Sequence, residues 1–195
     1  MGIISKSVAL TPGTGGGLCI AGNVLQAADI IVSTTAQFMS GVIRLGTMSV
    51  VSHAALYAGG GSVIEAIQAG VTQHSLDAAM ADDVLAVAYR HPAMNALIAA
   101  SIIAYAKKQV GQPYSAFGAA MAPYSTLCVT AGSQAAGFFC SELVAEAYRQ
   151  AGLPLFDVPA SCVTPENVAE IAQRCLFYVG HIKGNPTLFP VLDPS

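Results

Sequence analysis

The hydrophobic pattern changes period twice along the chain. "DIIVST", from Asp29, is a short apolar run without helical spacing and predicts a strand. "VVSHAALYAGGGSVIEAI", residues 50 to 67, places two β-rich runs on either side of Gly59-Gly60-Gly61, a hairpin signal. "VLAVAY", Val84 to Tyr89, predicts another buried strand, ended by His91-Pro92. Apolar residues then fall at helical intervals from about Ala93 to Val110, until Gly111 and Pro113 stop them. "FFCSELVAEAYRQAG" carries the clearest helical stripe, Phe139, Leu143, Val144 and Ala147, with Arg149 in its last turn and Gly152 and Pro154 closing it. "TPENVAEIAQRC" predicts a further helix, with Thr164 as N-cap, Pro165 at its first position and Glu166 nearby. "LFYVGHI" reads as a last strand. Residues 37–47 fit helix or loop. With no internal repeat and no convincing linker, the expected organisation is a Gly-rich lead-in over 1–24, one domain over 25–182, and a Pro-containing tail over 183–195.

Composition sharpens this outline. The chain has 195 residues, of which 54% are hydrophobic and 10% charged, against about 25% charged in an average soluble domain. So few charges predict exposed apolar area, as a groove, a partner interface or a lipid-facing patch. No apolar run reaches the roughly 20 residues that span a bilayer; "ALIAASIIAYA", Ala96 to Ala106, is followed by two lysines and reads as a buried helix. The first residues lack the apolar core of a signal peptide and, with Lys6, the myristoylation pattern. The expectation is a protein made in the cytoplasm and, if exported, exported without a cleaved signal. "GTGGG" lacks both a preceding strand and the ending of a phosphate loop. A net charge of −3 without a basic cluster argues against nucleic acid. The five cysteines, Cys19, Cys128, Cys140, Cys162 and Cys175, form no C-x-x-C pair, which predicts neither a disulfide framework nor a zinc site. Most should be small buried hydrophobes.

Cys140 is the candidate exception. It opens the clearest helix, where the positive end of the dipole and free N–H groups favour a thiolate and can stabilise an oxyanion. A thiolate nucleophile needs a base, and the base an orienting partner. On the hairpin, a three-residue turn over Ala58 to Gly60 would make His53 and Glu65 direct cross-strand neighbours. Other odd loop lengths keep them on one face and even ones separate them; the glycines permit either.

"SHAALYAGGGSVIEAI" followed much later by "FFCSELVAEAY" resembles the NlpC-type branch of papain-like cysteine hydrolases, in its circularly permuted YiiX/YaeF-like group, where the histidine strand precedes the cysteine helix. "GQPYSAFG" resembles that group's Gly-x-Pro-Tyr segment, and Asp29 its Gly-Asp strand, with Ala28 where the glycine usually stands. The similarity covers roughly residues 25 to 180. It implies an α+β, single-domain papain-like fold, an antiparallel sheet or half-barrel packed against helices, with the nucleophile at a helix N-terminus. It makes Cys140 the nucleophile, His53 the general base and Glu65 its orienter, sets Tyr114 and Ser141 beside substrate or oxyanion, and leaves Asp29 a structural role. No metal or organic cofactor is implied. His181 is the alternative base in unpermuted chain order, His74 and His91 are expected to be solvated, and Glu142 to interact with its helix N-terminus.

The reaction so implied is acyl transfer to water through a thioester. The favoured substrate is an amide in the peptidoglycan stem, cut by an endopeptidase or amidase; the alternative is a lipid or acyl ester or amide. A secreted antibacterial effector with an immunity protein as partner is a further expectation, and an inactive binding scaffold the non-enzymatic rival.

Overall fold

A computed structural model describes residues 19–35, 51–115 and 137–184. Most of the lead-in, the 37–47 segment, the end of "GQPYSAFG", Cys128 and most of the tail lie outside them. Strands β1 (Ile30–Thr35), β2 (His53–Gly59), β3 (Ser62–Ile67), β4 (Gly70–Ser75), β5 (Asp83–Arg90) and β6 (Phe177–Lys183) form one antiparallel sheet in the order β4-β3-β2-β1-β5-β6. The helices are α1 (Leu76–Ala79), α2 (Ala96–Gln109), α3 (Cys140–Gln150) and α4 (Pro165–Cys175), with a 3₁₀ turn at Ala160–Cys162. This is the α+β papain-like architecture expected.

Alternation along the strands builds two apolar layers. Ala54, Leu56, Ile64 and Val87 face a cluster that includes Ile102 and Ile103 of α2, Leu143, Val144 and Tyr148 of α3, and Val168 of α4. Ala55, Tyr57, Val63, Ala86 and Ala88 face a smaller one with Leu25, Leu76 and Met80. Each fully buried Leu or Val contributes about 1.5–3 kcal/mol, so α3, with its whole stripe inside, is firmly seated. Tyr148 ties it to the sheet by donating its hydroxyl to the Ala28 carbonyl (2.7 Å).

Two elements escaped the sequence reading. β4 alternates buried and exposed positions only at its polar end, and α1 is a single turn capped by Ser75. The start of α2 lies three residues later than the periodicity predicts, because Asn95 accepts from the amides of Leu97 and Ile98 (both 3.0 Å) and so caps the helix there. Thr164 and Asn167 form the reciprocal cap that starts α4.

Candidate active site

α3 begins at Cys140 without a side-chain cap on Phe139; the carboxyl of Glu142 takes the Phe139 amide instead, as expected of it. Burial pushes that carboxyl up to about 7, with Glu146 adding repulsion. Cys140 is 6% exposed. Burial alone would raise its thiol, but a hydrogen bond and charge attraction from His53, then the amides of Ala54 and Ser141, outweigh it and hold the thiol below its usual range.

His53 is the first residue of β2, paired across the sheet with Ser33. Its Nε2 is hydrogen-bonded to Oε2 of Glu65, which leaves Nδ1 as the ring nitrogen for Cys140. Burial works against the imidazolium, yet the bonds to Cys140 and Glu65 dominate and push its pKa up to about 10. Glu65 is buried; burial opposes its charge, and His53 followed by His74 overcomes this and keeps it below the ordinary carboxylate range.

How the hairpin brings His53 and Glu65 together differs from the simple turn considered above. Gly59 pairs with Ser62, and Gly60 and Gly61 form a two-residue turn with φ of 59° and 75°, values that suit glycine. Continued without interruption, that register would set His53 and Glu65 on opposite faces of the sheet. A bulge at Ala58 restores the parity: Tyr57 pairs with Val63 and Leu56 with Ile64. Extending this register sets Glu65 opposite Ala55, so it meets His53 diagonally and not directly.

Tyr114 lies beside Phe138 in a parallel bridge, held by Phe138 N–H to Pro113 O and Ser115 N–H to Phe138 O (both 3.0 Å). Burial raises its phenol, and the charge of Cys140 raises it further. The Ser141 hydroxyl is buried and donates to Val163 O (2.6 Å), so what Ser141 offers the sulfur is its amide. His181, fully buried on β6 at the opposite side of the sheet, bonds through Nδ1 to the Tyr178 hydroxyl (2.6 Å). Asp29 receives Arg90 through Nε and Nη2 (both 2.7 Å) and the Gln26 amide (2.8 Å), a structural knot. Ala28 before it holds φ of 70° without being glycine.

Two expectations need correction. His74 is not simply solvated, because its Nε2 bonds the second oxygen, Oε1, of Glu65. The only sequence signal for it was the alternation of β4, which sets His74 opposite Val63 and diagonal to Glu65. The non-catalytic cysteines are not mostly buried hydrophobes either: Cys19 and Cys175 are free and exposed, and Cys162 is disulfide-bonded. Among the described residues no cluster of three or more His, Cys, Asp or Glu side chains is arranged to hold a metal.

A thiol held towards its anion, an imidazole held towards its cation and amides at a helix N-terminus are the parts needed for attack on a carbonyl. Residues 24–160 match the family of permuted papain-like amidase enzymes, YaeF/YiiX, C92. The chain belongs to this family. The permuted papain-like amidases thus account for a histidine-bearing strand that precedes the cysteine helix, and the membership implies a papain-like cysteine amidase or peptidase. A curated relative, the "Probable lipoprotein peptidase YaeF" of Escherichia coli (strain K12), is 27% identical over 195 residues, covering 82% of this chain and 71% of that protein. No helix among the described residues is long and apolar enough to cross a membrane.

Proposed function

We propose that this protein is a cysteine hydrolase that cleaves an amide bond through a thioester, with Cys140 as nucleophile, His53 as general base and acid, and Glu65 orienting His53. The observation that carries this reading is the continuous hydrogen-bonded line from Cys140 through His53 to Glu65. Cys140 attacks the carbonyl carbon, and the amide of Ser141 together with Tyr114 faces the developing oxyanion. His53 gives its proton to the leaving amine, then takes one from the water that opens the thioester.

The substrate class we favour is a peptide of the bacterial cell wall. An open groove of about 740 Å³ runs along α3 from Gly137 and Phe138, two residues before the nucleophile, without including Cys140, His53 or Glu65; Tyr105, Glu142, Arg149, Phe156, Asp157 and Val158 are among its walls. Its acidic and basic groups, set among apolar walls, offer a peptide both charged partners and side-chain contacts. The Cys162 disulfide fits an oxidising compartment, where the wall lies, and the curated relative is named a probable lipoprotein peptidase, in line with cleavage of a peptide bond. An effector delivered into a neighbouring cell's periplasm would use the same chemistry.

The test is mass spectrometry of purified sacculi and of mixed lipids after digestion, with Cys140→Ala as control. New amine termini in muropeptides support the reading. Release of acyl groups from lipid transfers it to the alternative substrate class, and no Cys140-dependent product from either leaves a binding scaffold.

A further inference from the structure

The catalytic reading uses one oxygen of Glu65, yet both are occupied. We propose that His74 is a positioning residue that locks the Glu65 carboxylate so that Oε2 stays aimed at His53. This rests on the reading of Cys140 and His53 given above and adds a fourth member to that line.

The Glu65 side chain is only 4% exposed, and that of His74 30%. A carboxylate turns about its last bond in a broad, two-fold well. Held by His53 alone, it would leave Oε1 bare in a nearly dry site, where an unpaired charged oxygen is strongly disfavoured. Rotation or withdrawal towards solvent would relieve this and loosen His53. The Nε2–H of His74, supplied by the neutral Nε2 tautomer or by the imidazolium, fills Oε1 and removes the incentive to turn. The sheet register delivers this: Glu65 pairs with Thr72, so His74 approaches diagonally from β4 while His53 approaches diagonally from β2. Three adjacent strands therefore place a carboxylate between two imidazoles. Besides Cys140, Asp83 of β5 is coupled to His53 and Glu65, and Lys183 of β6 acts in turn on Asp83.

The assay is the rate at which iodoacetamide alkylates Cys140 as a function of pH, read peptide by peptide so that the exposed Cys19 and Cys175 do not interfere. It needs no substrate. His74→Ala should move the acid limb for Cys140 up by about one pH unit, a roughly tenfold loss of rate below it, with thermal unfolding near wild type. His74→Gln keeps an N–H donor at a similar reach and should restore most of the rate. In a Glu65→Gln background, His74→Ala should change the limb by less than about 0.3 unit, because its partner is gone. An unchanged limb in His74→Ala, equal losses in the Ala and Gln variants, or the same shift without Glu65 would each overturn the proposal. If wild-type Cys140 itself alkylates like an ordinary thiol while His74 variants match it, the reading of Cys140 and His53 falls, and the role of His74 falls with it.

Discussion

Gly137 offers the sharpest test of how the site is held. Its φ is 104°, and a Cβ built there would lie 2.0 Å from the Pro113 carbonyl oxygen and 2.7 Å from its carbon. Real Cβ atoms stay beyond about 3.0 Å, so the 113–115 segment must retreat by about 1 Å. That movement breaks the two hydrogen bonds joining it to Phe138, each contributing about 1 kcal/mol. A left-handed backbone with a side chain adds about 1–2 kcal/mol, so Gly137→Ala should destabilise the protein by about 3–4 kcal/mol. Gly60→Ala is the matched control, because its φ is also positive, at 59°, and nothing lies within 4 Å of its added Cβ. The entropy lost by the unfolded chain recurs in both variants and cancels, whereas the left-handed term cancels only in part, because φ of 104° suits a side chain less well than 59°. Urea unfolding should therefore separate the two by at least about 2 kcal/mol. Gly137→Ala should also slow Cys140 alkylation, since Tyr114 and the start of α3 separate, whereas Gly60→Ala should not. Two variants within about 0.5 kcal/mol of each other would refute the claim that this contact anchors Tyr114 to the nucleophile's helix.

Three further outcomes are expected. Deleting Ala58 removes the bulge and turns Glu65 to the opposite face from His53; Cys140-dependent hydrolysis of wall peptides should fall at least about a hundredfold even in molecules that stay folded by circular dichroism. Glu65→Gln removes a charged hydrogen-bond partner of His53, a loss of about 1.5–3 kcal/mol, so kcat/KM should drop roughly 10- to 100-fold. The pH profile of kcat/KM should rise along a limb below the ordinary cysteine range, because the Cys140 thiol is depressed, and fall as His53 deprotonates near about 10. For stability the signs are opposite: the His53 contribution is complete below its ordinary 6.5 and is lost as pH rises through about 10, while that of Glu65 is present above the usual carboxylate range and is lost in acid. Urea midpoints measured across pH check both limbs.

The parts of the fold that the sequence made legible are those with an unambiguous period. The stripe of α3 and the strand around Val84–Tyr89 were readable because burial determines them, and the Thr164 start of α4 because its cap is local in the chain. The His53–Glu65 face was not, since three glycines allow either parity and the choice depends on a bulge at an ordinary alanine. β4 escaped because half of it is polar and exposed, and His74 escaped with it; its role exists only through pairing with β3. The expected structural role of Asp29 was visible in its position at a strand start, but its bidentate partner, Arg90, is 61 residues away and left no local signal. Long-range polar pairing is set by the sheet, not by neighbours in the chain.

That principle also explains where a chain with so few charges puts them. Asp29, Glu65 and Asp83 are all buried, and the charged or hydrogen-bonding groups around them come from other strands: Arg90 for Asp29, two histidines for Glu65. Lys183 caps the carbonyls of Met80 and Ala81 (2.6 and 2.9 Å) where α1 ends. Buried charges without partners are strongly destabilising, so each of these sites demands its partner and adds to the register that the buried apolar faces already impose. A thioester mechanism needs sulfur, imidazole and carboxylate fixed to within about 0.5 Å. On this sheet the scarcity of charge outside and its pairing inside serve the same end, because the residues that would react are also the ones whose desolvation forbids the strands to slip.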